Sequence, residues 1–531
     1  MKSIKMRGIC AAVTGALLFG FGANAMADST TDIVNALVAK GVLADNEAEL
    51  ILKGAKGQKE GEAKAAKAKE FDFINSDAPF KYETKLGTHD ADIQFYGIVD
   101  IGGATVNHSL KPNQSLPNSI YPYSYDASGG TNATGVSSRS AWIQGGLQDS
   151  RFGLKGSVSL FEALDNKFKL IYQFEGGFNP LTGELNNAAK ALATNAVSSP
   201  AKTNSTFADS SLNGDFFARQ AWAGVDGGKL GKVSYGIQYN PFYDIAGAYD
   251  PNHKADSFSP LGESGAIGGG GGLSPNARMK NSLKYANSFE APMDGKVNVV
   301  GMYQFGNDVN AEWGRGYAGQ VGYENSLFGF QLAYNNFTDT VKVDVGPTST
   351  YQLKAGLYDT QAFMATAKYT PSKEIKFSGG YEWMQLSQPT DSSIPYNSIY
   401  GYSISGASTS NNSSKSISAS NHGDHQNIDF WWVGGEYDFG QRFAALDGLT
   451  LSGAYYYTKY GTLDGVDAGG TAGVAGKDFH IDTETVVLDY KLNKRFDVYG
   501  AATWNQFGGT YVSTMLNKDV NAYGVGVRMK F

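Results

Sequence analysis

The chain has 531 residues, with 44 Lys and Arg against 51 Asp and Glu and a formal net charge of −7. This acidic balance disfavours a nucleic-acid partner. A mean hydropathy of −0.30 excludes a bundle of membrane helices, and 13% aromatic residues exclude a disordered chain.

Lys2, Lys5 and Arg7 precede an apolar run from Gly8 to Gly22, and Ala25-Met26-Ala27 offers small residues for cleavage. The pattern is that of a secretory signal peptide over 1–27, giving a mature chain from Asp28. The run is too short for a membrane-spanning helix, and no later stretch reaches the roughly eighteen apolar residues that one needs. Cys10, the single cysteine, lies in this peptide, so the mature chain has no thiol for disulfides, catalysis or metal ligation.

Residues 28–91 read as a helical and linker extension. Asp32 caps a short helix with Ile33, Val34, Leu37 and Val38 on one side, ended by Gly41, and Asn46 opens a second through Leu50, Ile51 and Leu52. The Ala/Lys/Glu-rich stretch Gly61–Glu70 can continue as helix. Apolar heptads are not sustained, which leaves a short oligomerising stalk and a solvated leader as equal readings.

From Asp92 the period becomes two and stays so to the end of the chain. The alternation predicts strands near 92–107, 149–161, 167–178, 214–226, 230–240, 278–289, 295–305, 316–324, 327–337, 360–371, 375–386, 427–439, 448–460, 479–491, 494–506 and 521–531. Short turns, as at 162–166, 227–229, 325–326, 371–373 and 492–493, alternate with long polar loops near 108–148, 179–213, 241–277, 338–359 and 387–426. In the last of these, Ser403 to Ser420 is mostly Ser, Asn, Gly and Ala, a composition that cannot build a core.

In the final strand Tyr523, Val525, Val527, Met529 and Phe531 share one face, and Gly524, Gly526, Arg528 and Lys530 share the other. A slip of one residue would turn both cations toward hydrocarbon, at roughly 2–4 kcal/mol each at midplane depth. Near 167–178, Phe168, Leu170, Tyr172 and Phe174 oppose Lys167, Lys169, Gln173 and Glu175; near 150–160, Phe152, Leu154 and Val158 oppose Arg151, Lys155, Ser157 and Ser159. Segregated loop lengths, an even strand number and charged inner faces together predict an all-β fold, a 16-stranded antiparallel transmembrane barrel over 92–531. A barrel of that size leaves an aqueous channel, lined here by Lys155, Lys169, Gln173 and Glu175.

Several motifs, taken in order, resemble the general trimeric porins of Gram-negative bacteria. They are Phe95-Tyr-Gly-Ile-Val-Asp100, Ser150-Arg-Phe-Gly-Leu-Lys-Gly156, Tyr172-Gln-Phe-Glu175, Ala218-Arg-Gln-Ala-Trp-Ala-Gly224, Tyr243-Asp244 and Asn281-Ser-Leu-Lys-Tyr285, with the terminal Phe531. The resemblance implies passive diffusion of ions and small hydrophilic solutes through an outer-membrane homotrimer; the helical leader at 28–70 is not part of the family's usual pattern, and the 28–91 segment is read as a periplasmic extension. It also implies that Tyr523 and Phe531 signal to the barrel-assembly machinery. The third extracellular loop is then about 240–277, folded inward to narrow the pore. Its acids Asp244, Asp250, Asp256 and Glu263 would face a basic wall of Arg151, Arg219 and Arg278 or Lys280. Opposed charges across confined water sort solutes by size and charge. The chain departs from the family at Gly236-Ile237-Gln238, where a wall arginine is replaced by Ile237, so weak selectivity leaning toward cations is expected. The Gly268–Gly272 run has no counterpart in the pattern.

A barrel hydrolase and a surface adhesin are the rival readings. The hydrolase would need His with Ser or Asp at strand ends. His422-Gly-Asp424-His425 lies in the low-complexity loop without a third fixed ligand, and Gly262-Glu-Ser264-Gly-Ala266 misses the nucleophile-elbow pattern at its last position. No catalytic, cofactor or metal site is therefore expected. An adhesin needs no lumen charges, so Arg151, Lys155, Lys169 and Glu175 favour the channel.

Overall fold

Alternating side chains give each strand one apolar and one polar face, and pairing of successive strands gathers those faces into the two sides of a single sheet. The computed structural model describes residues 74, 76, 78–110, 136–183, 185, 216–262, 277–306, 315–338, 342–345, 353–356, 359–387, 404–407, 414–417, 425–461, 479–509 and 519–531. The signal peptide, the helices expected in 28–70 and the loop acid Glu263 lie outside them.

The strands are β1 (Lys81–Leu86), β2 (His89–Leu110), β3 (Val136–Gln144), β4 (Arg151–Ala163), β5 (Asn166–Gly177), β6 (Gln220–Asp226), β7 (Lys232–Tyr239), β8 (Arg278–Ala291), β9 (Gly295–Gln304), β10 (Gly316–Glu324) and β11 (Phe328–Phe337). They continue as β12 (Lys342–Val345), β13 (Leu353–Gly356), β14 (Asp359–Tyr369), β15 (Ile375–Ser387), β16 (Ile404–Ala407), β17 (Ser414–Ile417), β18 (His425–Asp438), β19 (Leu449–Tyr460), β20 (Phe479–Lys491), β21 (Phe496–Gly508) and β22 (Asp519–Lys530). One α-helix is present among the described residues, α1 (Pro241–Tyr249).

Eighteen of these strands form one antiparallel sheet, closed by β2 on β22 from Ile98↔Lys530 to Val106↔Ala522. On its other edge β2 pairs first with β4 and then with β3, which act as one stave interrupted at 145–150. β1 takes up the closing edge where β22 stops. Lys81 pairs with Gln94, Phe531 exchanges backbone hydrogen bonds with Gly97, and the Phe80 and Phe531 rings meet edge to face at 6.1 Å. The barrel thus has 16 staves, as the alternation predicts.

Four departures from the sequence reading have local causes. β1 lies inside the segment assigned to the extension, and the first stave starts at His89 rather than Asp92. The stave expected at 149–161 is longer, and β3 precedes its interruption. The strand expected from 214 begins at Gln220, because Arg219 turns into a buried ion cluster. In the long loops, β12, β13, β16 and β17 form a separate four-stranded sheet, so part of the Ser403–Ser420 stretch is ordered by backbone pairing, which needs no apolar core.

The outer face of the barrel is apolar and exposed, as at Val321, Phe330, Leu332, Val433, Val486, Leu488, Val525 and Val527. That surface suits hydrocarbon rather than water. The largest buried apolar cluster lies inside the barrel, where the 240–262 segment packs against the inner faces of β14, β15, β18, β19, β20 and β21.

Candidate pore constriction

Asn240-Pro241 begins a helix. The Asn240 side-chain oxygen accepts the Tyr243 N–H at 3.0 Å, and Pro241 occupies the first turn, where its missing N–H is harmless. Phe242, Ile245, Ala246 and Tyr249 follow at helical spacing and are all buried. They join Met364, Met384, Phe430, Trp432 and Tyr456 of the wall. Trp432 Nε1 donates to the Tyr249 carbonyl at 3.1 Å, and Gln331 Nε2 to the Tyr249 hydroxyl at 3.2 Å. The helix therefore starts beside β7 and β8 and ends against β11 and β18.

Asp250, expected to face water, is 0% exposed. Its carboxylate accepts Tyr456 Oη at 2.5 Å, Ser259 Oγ at 2.7 Å and the Lys254 N–H at 2.9 Å. It fixes the turn after α1 to the wall rather than lining the pore. Asn252 adds a second fastening, accepting Ser452 Oγ at 2.7 Å and donating to Tyr456 Oη at 3.1 Å.

The loop next reaches the interruption between β3 and β4. Asp256 N–H donates to the Leu147 carbonyl at 3.1 Å and Ser257 N–H to that of Gly146 at 3.1 Å. Asp256 itself is half-buried there, with a carboxylate oxygen close to Gly145. Asp100 organises the interruption. Its carboxylate accepts the N–H groups of Gly146, Leu147 and Gln148 at 3.3, 3.0 and 2.8 Å and Tyr499 Oη at 2.6 Å. Gly146 is required, since a Cβ there would lie 2.0 Å from the Tyr499 hydroxyl.

The side of the loop facing β4 to β8 is charged. Tyr243 of α1 stacks on Tyr239 of β7 at 3.8 Å, and the pair is bracketed by cations. Lys254 Nζ lies 2.9 Å above the Tyr243 ring centroid and the Arg278 guanidinium 5.4 Å from that of Tyr239. His253 and Lys254 both adopt left-handed backbone, with φ of 52° and 56°, and this turn sends Lys254 back over the helix. Arg219, 1% exposed, contacts Asp149 at 2.5 Å and Glu175 at 2.9 Å, with Tyr243 Oη at 3.4 Å. Arg151 lies within electrostatic reach of Arg219, Glu175, Tyr239 and Tyr243.

Burial alone would raise the Tyr243 phenol, but Lys254, Arg219, Arg151 and Arg278 bring it down to about 8. Burial lowers the Lys254 ammonium to about 8 against the opposing fields of Tyr243 and Asp244.

The expected residues thus divide. Arg151, Arg219 and Arg278 converge on one cluster, whereas Lys280 is half-buried, its N–H donating to Gln304 Oε1 at 3.0 Å. Asp244 is exposed and paired with Lys284 at 3.3 Å. Lys155 and Lys169 are exposed, the former 5.2 Å from the Tyr96 ring. Gln173 donates to Tyr96 Oη at 2.7 Å, but Glu175 is buried with Arg219 instead of lining open water. Ile237 does not stand in the basic wall: it is half-buried at a register shift between β7 and β8 and pairs with Ala221 in the outward row of Tyr235 and Val233. Tyr523 is exposed on the outer face, and Phe531 closes against Gly97. Lys254 and Tyr239 have no part in the sequence reading, and Tyr243 and Asp100 enter it only as motif residues, without a role at the site. Among the described residues no three His, Cys, Asp or Glu side chains are grouped to hold a metal ion.

A family model described as Gram-negative porin matches residues 86–510. Among solved structures, an anion-selective porin from Comamonas acidovorans is similar at 17% identity and a TM-score of 0.48, covering 83% of this chain and 100% of that one. A loop L8 deletion mutant of OmpT, an outer membrane protein of Vibrio cholerae, matches at 15% identity and 0.46, covering 83% and 99%. Salmonella typhi OmpF in complex with daunomycin matches at 17% and 0.43, covering 85% and 100%. No curated protein matches the sequence.

Proposed function

The chain belongs to the Gram-negative porin family, and we propose that its 240–262 segment narrows an outer-membrane channel that passes small hydrophilic solutes and prefers anions. One observation carries this reading. α1 lies between two walls, with Arg151, Arg219, Arg278 and its own loop's Lys254 gathered on one side. Of the three described loop acids, Asp250 is withdrawn into the wall, Asp256 is half-buried, and Asp244 alone is exposed and already paired.

The expectation from Ile237 is thereby reversed. Lys254 of the loop adds its positive charge to Arg151, Arg219 and Arg278, so the field at the narrowing favours anions. Secretion with cleavage after Ala27, a homotrimer of separately conducting barrels, and recognition of the strand ending at Phe531 by assembly machinery complete the proposal. The test is the reversal potential of single channels in a potassium chloride gradient. A value displaced toward the chloride equilibrium potential supports the reading; one displaced toward potassium refutes the selectivity, and absence of conductance refutes the channel.

A further inference from the structure

A second concentration of positive charge lies away from the constriction, at the short-turn end of the barrel seam. There the turn between β20 and β21 meets the end of β22 around a cavity of about 330 Å³. Lys491, Lys494, Arg495 and Lys530 line it, with Asp497 as the one carboxylate among the lining residues.

The architecture is fixed by the backbone. The Asn493 side-chain oxygen accepts the N–H groups of Arg495 and Phe496 at 2.8 and 3.0 Å, closing the turn. Lys530 N–H donates to the Arg495 carbonyl at 2.8 Å, tying that turn to the last strand. Asp497 is already engaged on both oxygens. Arg528 Nε binds one at 2.8 Å and Lys530 Nζ the other at 3.0 Å. Arg528 and Lys530 lie on the face opposite the exposed Tyr523, Val525 and Val527, so the cavity opens on the inner side of the wall. Arg495 is 6% exposed, which leaves its guanidinium little water of its own.

We propose that this cavity binds a small multivalent oxyanion bearing phosphate or carboxylate groups. Several ammonium groups and a planar guanidinium converging on a volume of this size match the charge and hydrogen-bond demand of such an anion. The short-turn end of an outer-membrane barrel faces the periplasm, so the site would hold an anion at the inner mouth of the channel. Opening on the inner side of the wall, the site is reached by a soluble anion rather than by a lipid headgroup.

Full-length protein in phosphatidylcholine nanodiscs is titrated with inorganic pyrophosphate by calorimetry at low ionic strength. We expect one saturable site per chain. K491Q/K494Q, which changes two exposed residues at the end of β20 and in the turn after it, should weaken it roughly tenfold or more. Lys254→Gln, at the constriction, should leave the affinity unchanged, which separates this site from the selectivity reading above. A heat-modifiable gel shift equal to wild type verifies that both variants are folded. Competition by phosphatidylglycerol in the nanodisc would contradict the lumen-facing placement of the site, and absence of competition would support it. No saturable binding by wild type, unchanged affinity in K491Q/K494Q, or loss of binding in Lys254→Gln would overturn the proposal.

Discussion

The two walls that grip the constriction loop do so by different physics. Toward β14–β21 the loop is held by buried apolar side chains, with Ile245 and Tyr249 among Met364, Met384, Phe430 and Trp432. Toward β4–β8 it is held by stacked tyrosines and paired charges, with Tyr243 on Tyr239 and cations around both. Apolar contact is strong and indifferent to solute charge, whereas the charged side is the one proposed to face solutes, where single residues would tune it. On the proposed function, position and selectivity belong to opposite sides of one short helix.

Removing the apolar grip should have the largest effect. Trp432→Ala deletes a side chain 2% exposed and the hydrogen bond to the Tyr249 carbonyl. The local cost should be about 3–5 kcal/mol, and single-channel records should show larger, noisier unit conductance. Unchanged conductance would mean that α1 is held from the charged side alone.

Next comes Asp100→Ala, which strips the acceptor from three backbone N–H groups and from Tyr499. At about 1–3 kcal/mol for each buried donor left unmade, the variant should fold in lower yield and lose its heat-modifiable gel shift at lower temperature. Wild-type behaviour in both would deny Asp100 its organising part.

Charge substitutions on the polar side should alter selectivity while leaving the barrel intact. Lys254→Glu and Arg151→Ala should move the reversal potential toward cations. The shifts should grow as salt falls from 0.1 to 0.01 M, where the Debye length lengthens from about 10 to about 30 Å. A reversal potential insensitive to Lys254→Glu would place that residue outside the permeation path.

The smallest effect is that of pH. As pH rises through about 8 the Lys254–Tyr243 pair loses its net positive charge, whether Lys254 gives up its proton or Tyr243 does, and either route acts in the same direction. Anion preference should decline between about pH 7 and 9, and the decline should be blunted in the double variant Lys254→Gln, Tyr243→Phe. A preference that strengthens over this range would contradict the assignment.

What the sequence discloses follows the range of the forces involved. Strand alternation is a local signal, so the staves, their faces and the final strand can be read directly. Arg151, Arg219 and Arg278 are recognisable from neighbouring motif residues, and they do gather. The break at 145–150 escapes notice because its organiser, Asp100, lies about one and a half strands earlier and captures backbone groups that have no side-chain signature. Asn240-Pro241 does signal a helix start, and the apolar spacing of Phe242, Ile245 and Tyr249 could have disclosed α1. The direction of Asp250 could not be read in that way, since an acid in a loop is consistent with water until Tyr456 is seen against it. Lys254 is hidden for a related reason. Its place over Tyr243 depends on two successive left-handed residues that no glycine announces.

The single cysteine, Cys10, lies in the segment proposed to be removed on secretion, which makes Lys254→Cys a clean probe of this division of labour. Single channels of that variant are recorded in a potassium chloride gradient while a sulfonate-bearing thiol reagent is added, and modification is verified by mass. If Lys254 stands at the narrowing and sets the field, current should fall in discrete steps and the reversal potential should move toward cations. Complete modification with neither current nor reversal potential altered would contradict the placement of the loop and the source of its selectivity together.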